Sequence, residues 1–126
     1  MVILLDGTSK MGRIAIAEQL VEANPAWKHL ALEVIEGATP PDQEVDFHAQ
    51  VVKRCSDELA RDNQHLVLTL PGESEQFALL SRALKPHVIT VHLGEDEAGK
   101  YDYVIDPNAK SVKDVVKFLE GIMKEV

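Results

Sequence analysis

The segment Gly7-Thr8-Ser9-Lys10-Met11-Gly12-Arg13-Ile14 follows the apolar run Val2-Ile3-Leu4-Leu5 and Asp6, and leads into a stretch rich in Ala, Ile, Leu and Glu. Two glycines with four residues between them, set between a strand-like run and a helix-like stretch, suit a turn that holds an anion. Glycine lets such a turn fold back so that successive backbone N–H groups point inward. The N-terminus of the helix that follows adds partial positive charge. Lys10 and Arg13 are the cations within the segment. The same spacing also fits a tight strand-to-helix turn with no ligand. A strand before it and a helix after it favour the anion cradle.

Other residues with chemistry are more dispersed. Glu33 ends a second apolar run and can serve as a base or acceptor-binding acid, or stand as a solvated strand-end acid with Glu36 shortly after. His29, His65 and His87 each begin an apolar run. His29 and His65 would lie about 5 Å apart if their strands are neighbours. They fall at the edge opposite the expected ligand edge and read as unrelated strand starts, so no metal site is expected. His92, near the end of the fourth run, is the best placed of the five histidines to face a ligand, although a hydrogen-bonded strand-end imidazole is the simpler reading. Trp27 reads as a core plug, Cys55 as a core residue, and Glu95-Asp96-Glu97 as a solvated loop.

The elements that must position these groups alternate. Short apolar runs occur at Val2 to Leu5, His29 to Val34, Leu66 to Leu70, Val88 to Leu93 and Tyr101 to Ile105. Runs apolar at nearly every position suit strands covered on both faces. Between and after them lie helical stretches: Arg13 to Ala23; a segment after Pro41 with Ala49, Val52, Cys55 or Ser56 and Leu59 in phase; Phe77, Leu80 and Leu84; and Val112, Val115, Val116, Leu119 and Ile122. Ser111 and Asp114 resemble a capping box for the last helix. This alternation predicts a three-layer, doubly wound α/β domain with a mainly parallel five-stranded sheet. Ligands of such sheets bind beyond the carboxyl ends of the strands. One joint is irregular: Gly94 to Lys100 is short for a parallel crossover. The fifth strand is therefore either parallel, reached by a bare loop, or an antiparallel edge; the parallel form is favoured.

The 126 residues suit one domain, 1–126, with 45% hydrophobic and 27% charged residues, a balance that excludes a disordered chain. Thirteen Lys and Arg against 21 Asp and Glu leave a formal charge of −8, which disfavours non-specific binding of nucleic acid. A single cysteine permits no internal disulfide. No apolar run approaches the ~18 residues of a membrane span, so no membrane partner is expected and a cytoplasmic location is inferred.

The opening ILLDGTSKMGRIAIAEQL, together with WKHLALEVIE and YDYVIDPNAKSVKDVVKFLEGIM, resembles the P-loop kinases of the shikimate, gluconate and adenylylsulfate kinase type. The likeness is spread over nearly the whole chain. It implies a sheet in the order 2-3-1-4-5 and a nucleotide such as ATP as cofactor. It assigns Gly7, Thr8, Ser9, Lys10, Met11, Gly12, Arg13 and Ile14 to phosphate binding and Glu33 to the acceptor side.

The departures from the family bear on activity. Where the family has Gly-Lys-Ser/Thr, this chain has Gly12-Arg13-Ile14. Arg13 keeps a charge on a broad planar fork rather than an ammonium point. Ile14 has no oxygen for Mg²⁺, which makes Mg²⁺ use doubtful. The third strand runs into Pro71-Gly72 with its first acid at Glu73, and the segment from Gly94 to Lys100 carries no arginine. The expectation is a degenerate P-loop kinase-like protein that binds a small phosphate-bearing ligand or nucleotide without efficient phosphoryl transfer. The alternatives are an ATP-dependent phosphotransferase using Lys10 and Arg13 in place of the lysine, and a non-catalytic interaction protein. A homo-oligomer is compatible with each.

Overall fold

The computed structural model describes residues 1–7, 10–32, 45–71, 76–94, 100–106 and 111–125; of Lys10, Met11, residues 45–48, Pro71 and Gln76 it describes the backbone alone. Among the described residues there are five strands: β1 (Val2–Gly7), β2 (Trp27–Ala31), β3 (His65–Pro71), β4 (Val88–Leu93) and β5 (Tyr103–Ile105). The helices among the described residues are α1 (Lys10–Ala23), α2 (Val45–Arg61), α3 (Gln76–Leu84) and α4 (Val112–Met123). The sheet is parallel throughout, in the order β2-β3-β1-β4-β5. This is the doubly wound α/β architecture.

β1 is central because every one of its residues is buried. Its alternation divides the interior into two cores. Ile3 and Leu5 face α1 and α4, meeting Ile16, Ala17, Leu20, Val115 and Leu119. Val2 and Leu4 face α2 and α3, meeting Ala49, Val52, Phe77, Leu80 and Leu84. The helical stripes read from the sequence supply these contacts, with two corrections. Val112 is 40% exposed, because it is the first residue of α4 and precedes the part that lies on the sheet. Cys55 is exposed; α2 turns Ala49 and Val52 inward, leaves Ser56 and Leu59 half-buried, and carries the thiol outward.

Several boundaries also shift. β1 continues through Asp6 and Gly7 instead of ending at Leu5, since both residues keep their partners in β3 and β4. β2 starts at Trp27, two residues before His29, because Trp27 pairs with His65 and plugs the core at the amino end of the sheet. α1 starts at Lys10, one turn ahead of Arg13.

β5 is parallel to β4, with Val91, His92 and Leu93 opposite Tyr103, Val104 and Ile105. Its short approach is held by a side chain in place of a strand. Asp102 Oδ2 accepts hydrogen bonds from the Thr90 backbone N–H at 2.9 Å and from Thr90 Oγ1 at 3.1 Å. The Asp102 N–H donates to Thr90 Oγ1 at 2.8 Å. The edge of β4 is thus satisfied before β5 begins. Ser111 Oγ caps α4 by accepting from the Asp114 N–H at 3.2 Å. No helix among the described residues is long and apolar enough to cross a membrane.

Candidate functional site at the carboxyl edge

The carboxyl end of β1 is where the chain's chemistry converges. From β1 the chain crosses to β2 on one side, while from β3 it crosses to β4 on the other. Adjacent strands whose connections leave in opposite directions open a crevice beyond their carboxyl ends. The N-terminus of α1 stands at this edge because the helix follows β1 directly.

The glycine segment is built differently from a single long loop. Gly7 is the last residue of β1 and Gly12 lies inside α1. Thr8 and Ser9, between strand and helix, lie outside the described residues. Lys10 and Met11 are good helix formers and carry the helix back toward the strand. The described part of the segment is therefore the end of β1 and the first turn of α1, rather than a loop framed by both glycines.

Gly7 has a packing reason of its own. A Cβ at this position would lie 2.6 Å from Leu93 Cβ and 2.8 Å from the Leu93 carbonyl oxygen. Only a residue without a side chain lets β1 approach β4 this closely. Arg13 is buried, and its Nη1 donates to the Gly7 carbonyl at 3.2 Å. The guanidinium thus ties the first turn of α1 to the end of β1. Ile14 is half-buried and offers no donor atom.

Beside Gly7, on the α3 face of the sheet, lies a polar cluster. Asp6 and His92 occupy the same register on β1 and β4 and are 1% and 6% exposed. His92 Nδ1 is 2.6 Å from Asp6 Oδ1. The Tyr101 hydroxyl donates to Asp6 Oδ2 at 2.7 Å. The Tyr101 ring stacks on the imidazole, with centroids 4.5 Å apart and planes at 20°. Phe77, in the first turn of α3, packs on Tyr101, and Lys100 Nζ stands 5.2 Å and 5.9 Å from the Phe77 and Tyr101 ring centroids. Burial pushes the Asp6 carboxyl above its usual range, opposed by the hydrogen bonds from His92 and Tyr101 and by the charges of His92 and Lys100.

The sequence marked His92 as facing this edge but gave Asp6 no role beyond ending the first run. An ionisable residue inside an otherwise apolar strand was the available signal. Its pairing with His92 depends on β1 lying next to β4, which residue order alone does not state.

The remaining candidates are distributed elsewhere. Glu33, the acid read as a base, lies outside the described residues, as do Glu36, Glu73 and residues 95–99. His29 is not opposite His65; the register places it across from Val67, and its Nε2 is 2.9 Å from Thr69 Oγ1. His65 instead pairs with Trp27 at the amino edge, ring centroids 4.7 Å apart, near the Met1 amino group at 3.4 Å. Burial, and then the charge of that amino group, lower the His65 pKa. No cluster of three His, Cys, Asp or Glu suited to a metal occurs among the described residues. A cleft of about 330 Å³ lies between α3 and β4, with Ser81, Lys85, Thr90, Lys100 and Asp102 among its walls.

No protein-family model matches the chain, and no curated protein matches its sequence. Among solved structures it is similar to APE1195, known from a crystal structure, with a TM-score of 0.71 and 13% identity over 100% of this chain and 95% of that one. It is also similar to a de novo designed protein solved by NMR, with a TM-score of 0.65 and 12% identity over 96% of this chain and 90% of that one. At such identities the likeness is one of fold.

Proposed function

We propose that the chain binds a small phosphate-bearing ligand, a nucleotide among the candidates, at the carboxyl end of β1 and does not transfer phosphoryl groups efficiently. The observation that carries this reading is the position of the α1 N-terminus at the carboxyl end of the central strand, where neighbouring crossovers diverge. The resemblance of the opening segment to P-loop kinases supports the same ligand class.

The residues present fit a phosphate better than they fit the family's metal. Ile14 stands where a hydroxyl would ligate Mg²⁺, so no step is assigned to Mg²⁺. Arg13 is committed to the Gly7 carbonyl rather than extended like the lysine that reaches the terminal phosphates. Both features favour binding over transfer, and over the reading of Lys10 and Arg13 as substitutes for that lysine.

Calorimetry and thermal unfolding with inorganic phosphate, ADP and ATP test the proposal. Ligand at 100 times its Kd adds about 2.7 kcal/mol, a rise in Tm on the order of 10 °C for a domain of this size. Absence of heat and of stabilisation at millimolar ligand defeats it. Rapid turnover of labelled ATP would replace it with the phosphotransferase reading. Val104, Val112 and Phe118, exposed on β5 and α4, favour a second reading, an interaction protein. Concentration-dependent sedimentation without ligand binding would support that one.

A further inference from the structure

We propose that the cleft between α3 and the amino half of β4 binds a small dicarboxylate, with one carboxylate at Lys85 and the other at Lys100. The site is separate from the carboxyl end of β1 and does not depend on what binds there.

The cleft has a structural cause. β5 pairs only with Val91, His92 and Leu93 of β4. Among the described residues no strand lies beside Val88 to Thr90 on that side. A cavity of about 330 Å³ opens there. Ligand pockets run from about 300 to 1,000 Å³, so this one suits a compact ligand.

The helical wall places a cation at either end. Phe77, Ser81 and Lys85 follow at four-residue spacing, along one side of α3 and its immediate continuation. Lys100 Nζ stands over the Phe77 ring, 5.2 Å from its centroid, at the start of α3. Lys85 directly follows the last residue of the helix. The helix rises about 12 Å over that distance. Ser81 lies one turn from each end, and Val88 adds an apolar contact.

The opposite wall is pre-organised. Tyr101 donates to Asp6 Oδ2 and stacks on His92. Asp102 makes three hydrogen bonds with Thr90. Two consecutive residues are thus tied to β1 and β4, and Lys100 immediately precedes them. A cation presented by a fixed segment loses less freedom on binding. This gives the buried Asp6–His92 pair a use as a positioning device. The fold itself does not demand one, since well-packed apolar residues commonly replace buried polar pairs without loss of stability.

Charge selects the ligand. The chain carries a formal charge of −8, yet the cleft is lined by two lysines and one acid. That acid, Asp102, has Oδ2 engaged by Thr90. Neither lysine has an ion-pair partner among the described residues. A dicarboxylate supplies one to each through charge-assisted hydrogen bonds. A monocarboxylate leaves one of them unmet.

Glutarate and pentanoate share a chain length and differ by one carboxylate. In calorimetry at equal ionic strength, glutarate is expected to bind at least about tenfold more tightly. The Thr90 amide resonance is expected to move on saturation with glutarate. Both lysines are exposed, so Lys85→Gln and Lys100→Gln keep the fold, and each is expected to remove most of the preference. Tyr101→Phe keeps both cations and loosens the wall; it is expected to weaken glutarate binding several-fold beside Lys100 and not in the Lys100→Gln background. An equal loss in both backgrounds refutes the positioning of Lys100. The inference is overturned if glutarate does not bind at millimolar concentration, or if both acids bind equally. A stationary Thr90 signal, or a preference that survives either lysine substitution, overturns it as well. Phosphate binding at the carboxyl end of β1 is read separately at the Gly7 amide, and its outcome bears on the earlier proposal alone.

Discussion

Gly7 and Gly121 are the same residue type under opposite constraints. Gly7 faces Leu93 at a distance no Cβ tolerates, whereas a Cβ at Gly121 meets nothing within 4 Å and lies in the exposed surface of α4. Gly7→Ala is expected to destabilise the protein by about 1–3 kcal/mol through overpacking. Gly121→Ala is expected to stabilise it by about 0.5–1 kcal/mol through helix propensity. Urea unfolding of the two variants checks both signs. Any loss of ligand binding in Gly7→Ala must then be read against its loss of stability, since packing alone demands this glycine.

Asp6 leads to a pH prediction. Burial raises its native pKa above the ordinary 3.8, against the opposing hydrogen bonds and charges of its neighbours. Between 3.8 and the raised value the unfolded chain has lost this proton while the folded chain retains it. The folded state therefore binds more protons, and the Asp6 contribution to stability falls as pH rises through that window, then levels off. Asn at this position keeps the shape and cannot titrate. The stability of wild type minus that of Asp6→Asn is expected to decrease with pH above 3.8; chemical unfolding at a series of pH values measures it. A difference that grows with pH contradicts the burial-dominated account.

At the scale of elements, the β4–β5 edge depends on one side chain. Asp102 receives two hydrogen bonds from Thr90 and returns one through its backbone. Asp102→Ala leaves the buried Thr90 hydroxyl and N–H without that carboxylate, at a cost of about 1–3 kcal/mol. Hydrogen exchange at Thr90 and at Gly94, whose N–H donates to the Ile105 carbonyl, is expected to accelerate more than exchange in β1. Equal acceleration everywhere would mean that the clamp serves global stability rather than this edge. The capped start of α4 was legible as Ser111 and Asp114, because a cap is a contact over three residues. The Thr90–Asp102 clamp was not, because it needs two strands side by side.

At the scale of the molecule, the sheet separates two cores that do not share a side chain. Leu119 is fully buried on the α1 and α4 face, and Leu80 on the α2 and α3 face. Each Leu→Ala change is expected to cost about 2–5 kcal/mol. With β1 between them, the two costs are expected to add within about 0.5 kcal/mol in the double variant. A larger deviation in denaturant-unfolding cycles would show that strain passes through the central strand from one layer to the other.

Periodicity along the chain determined the alternating elements, the covered parallel sheet and the inward helical stripes, since a residue's face within a strand or helix depends on near neighbours alone. The same local information placed a strand-to-helix turn at Gly7 and an apolar plug at Trp27. Where α1 starts was decided by packing of its first turn against β1, through Arg13 and the Gly7 carbonyl, which moved Gly12 from a loop into a helix. The Asp6–His92–Tyr101 cluster was decided the same way. Its members are far apart in the chain, and they meet because the crossover from β3 passes over β1 to set β4 beside it.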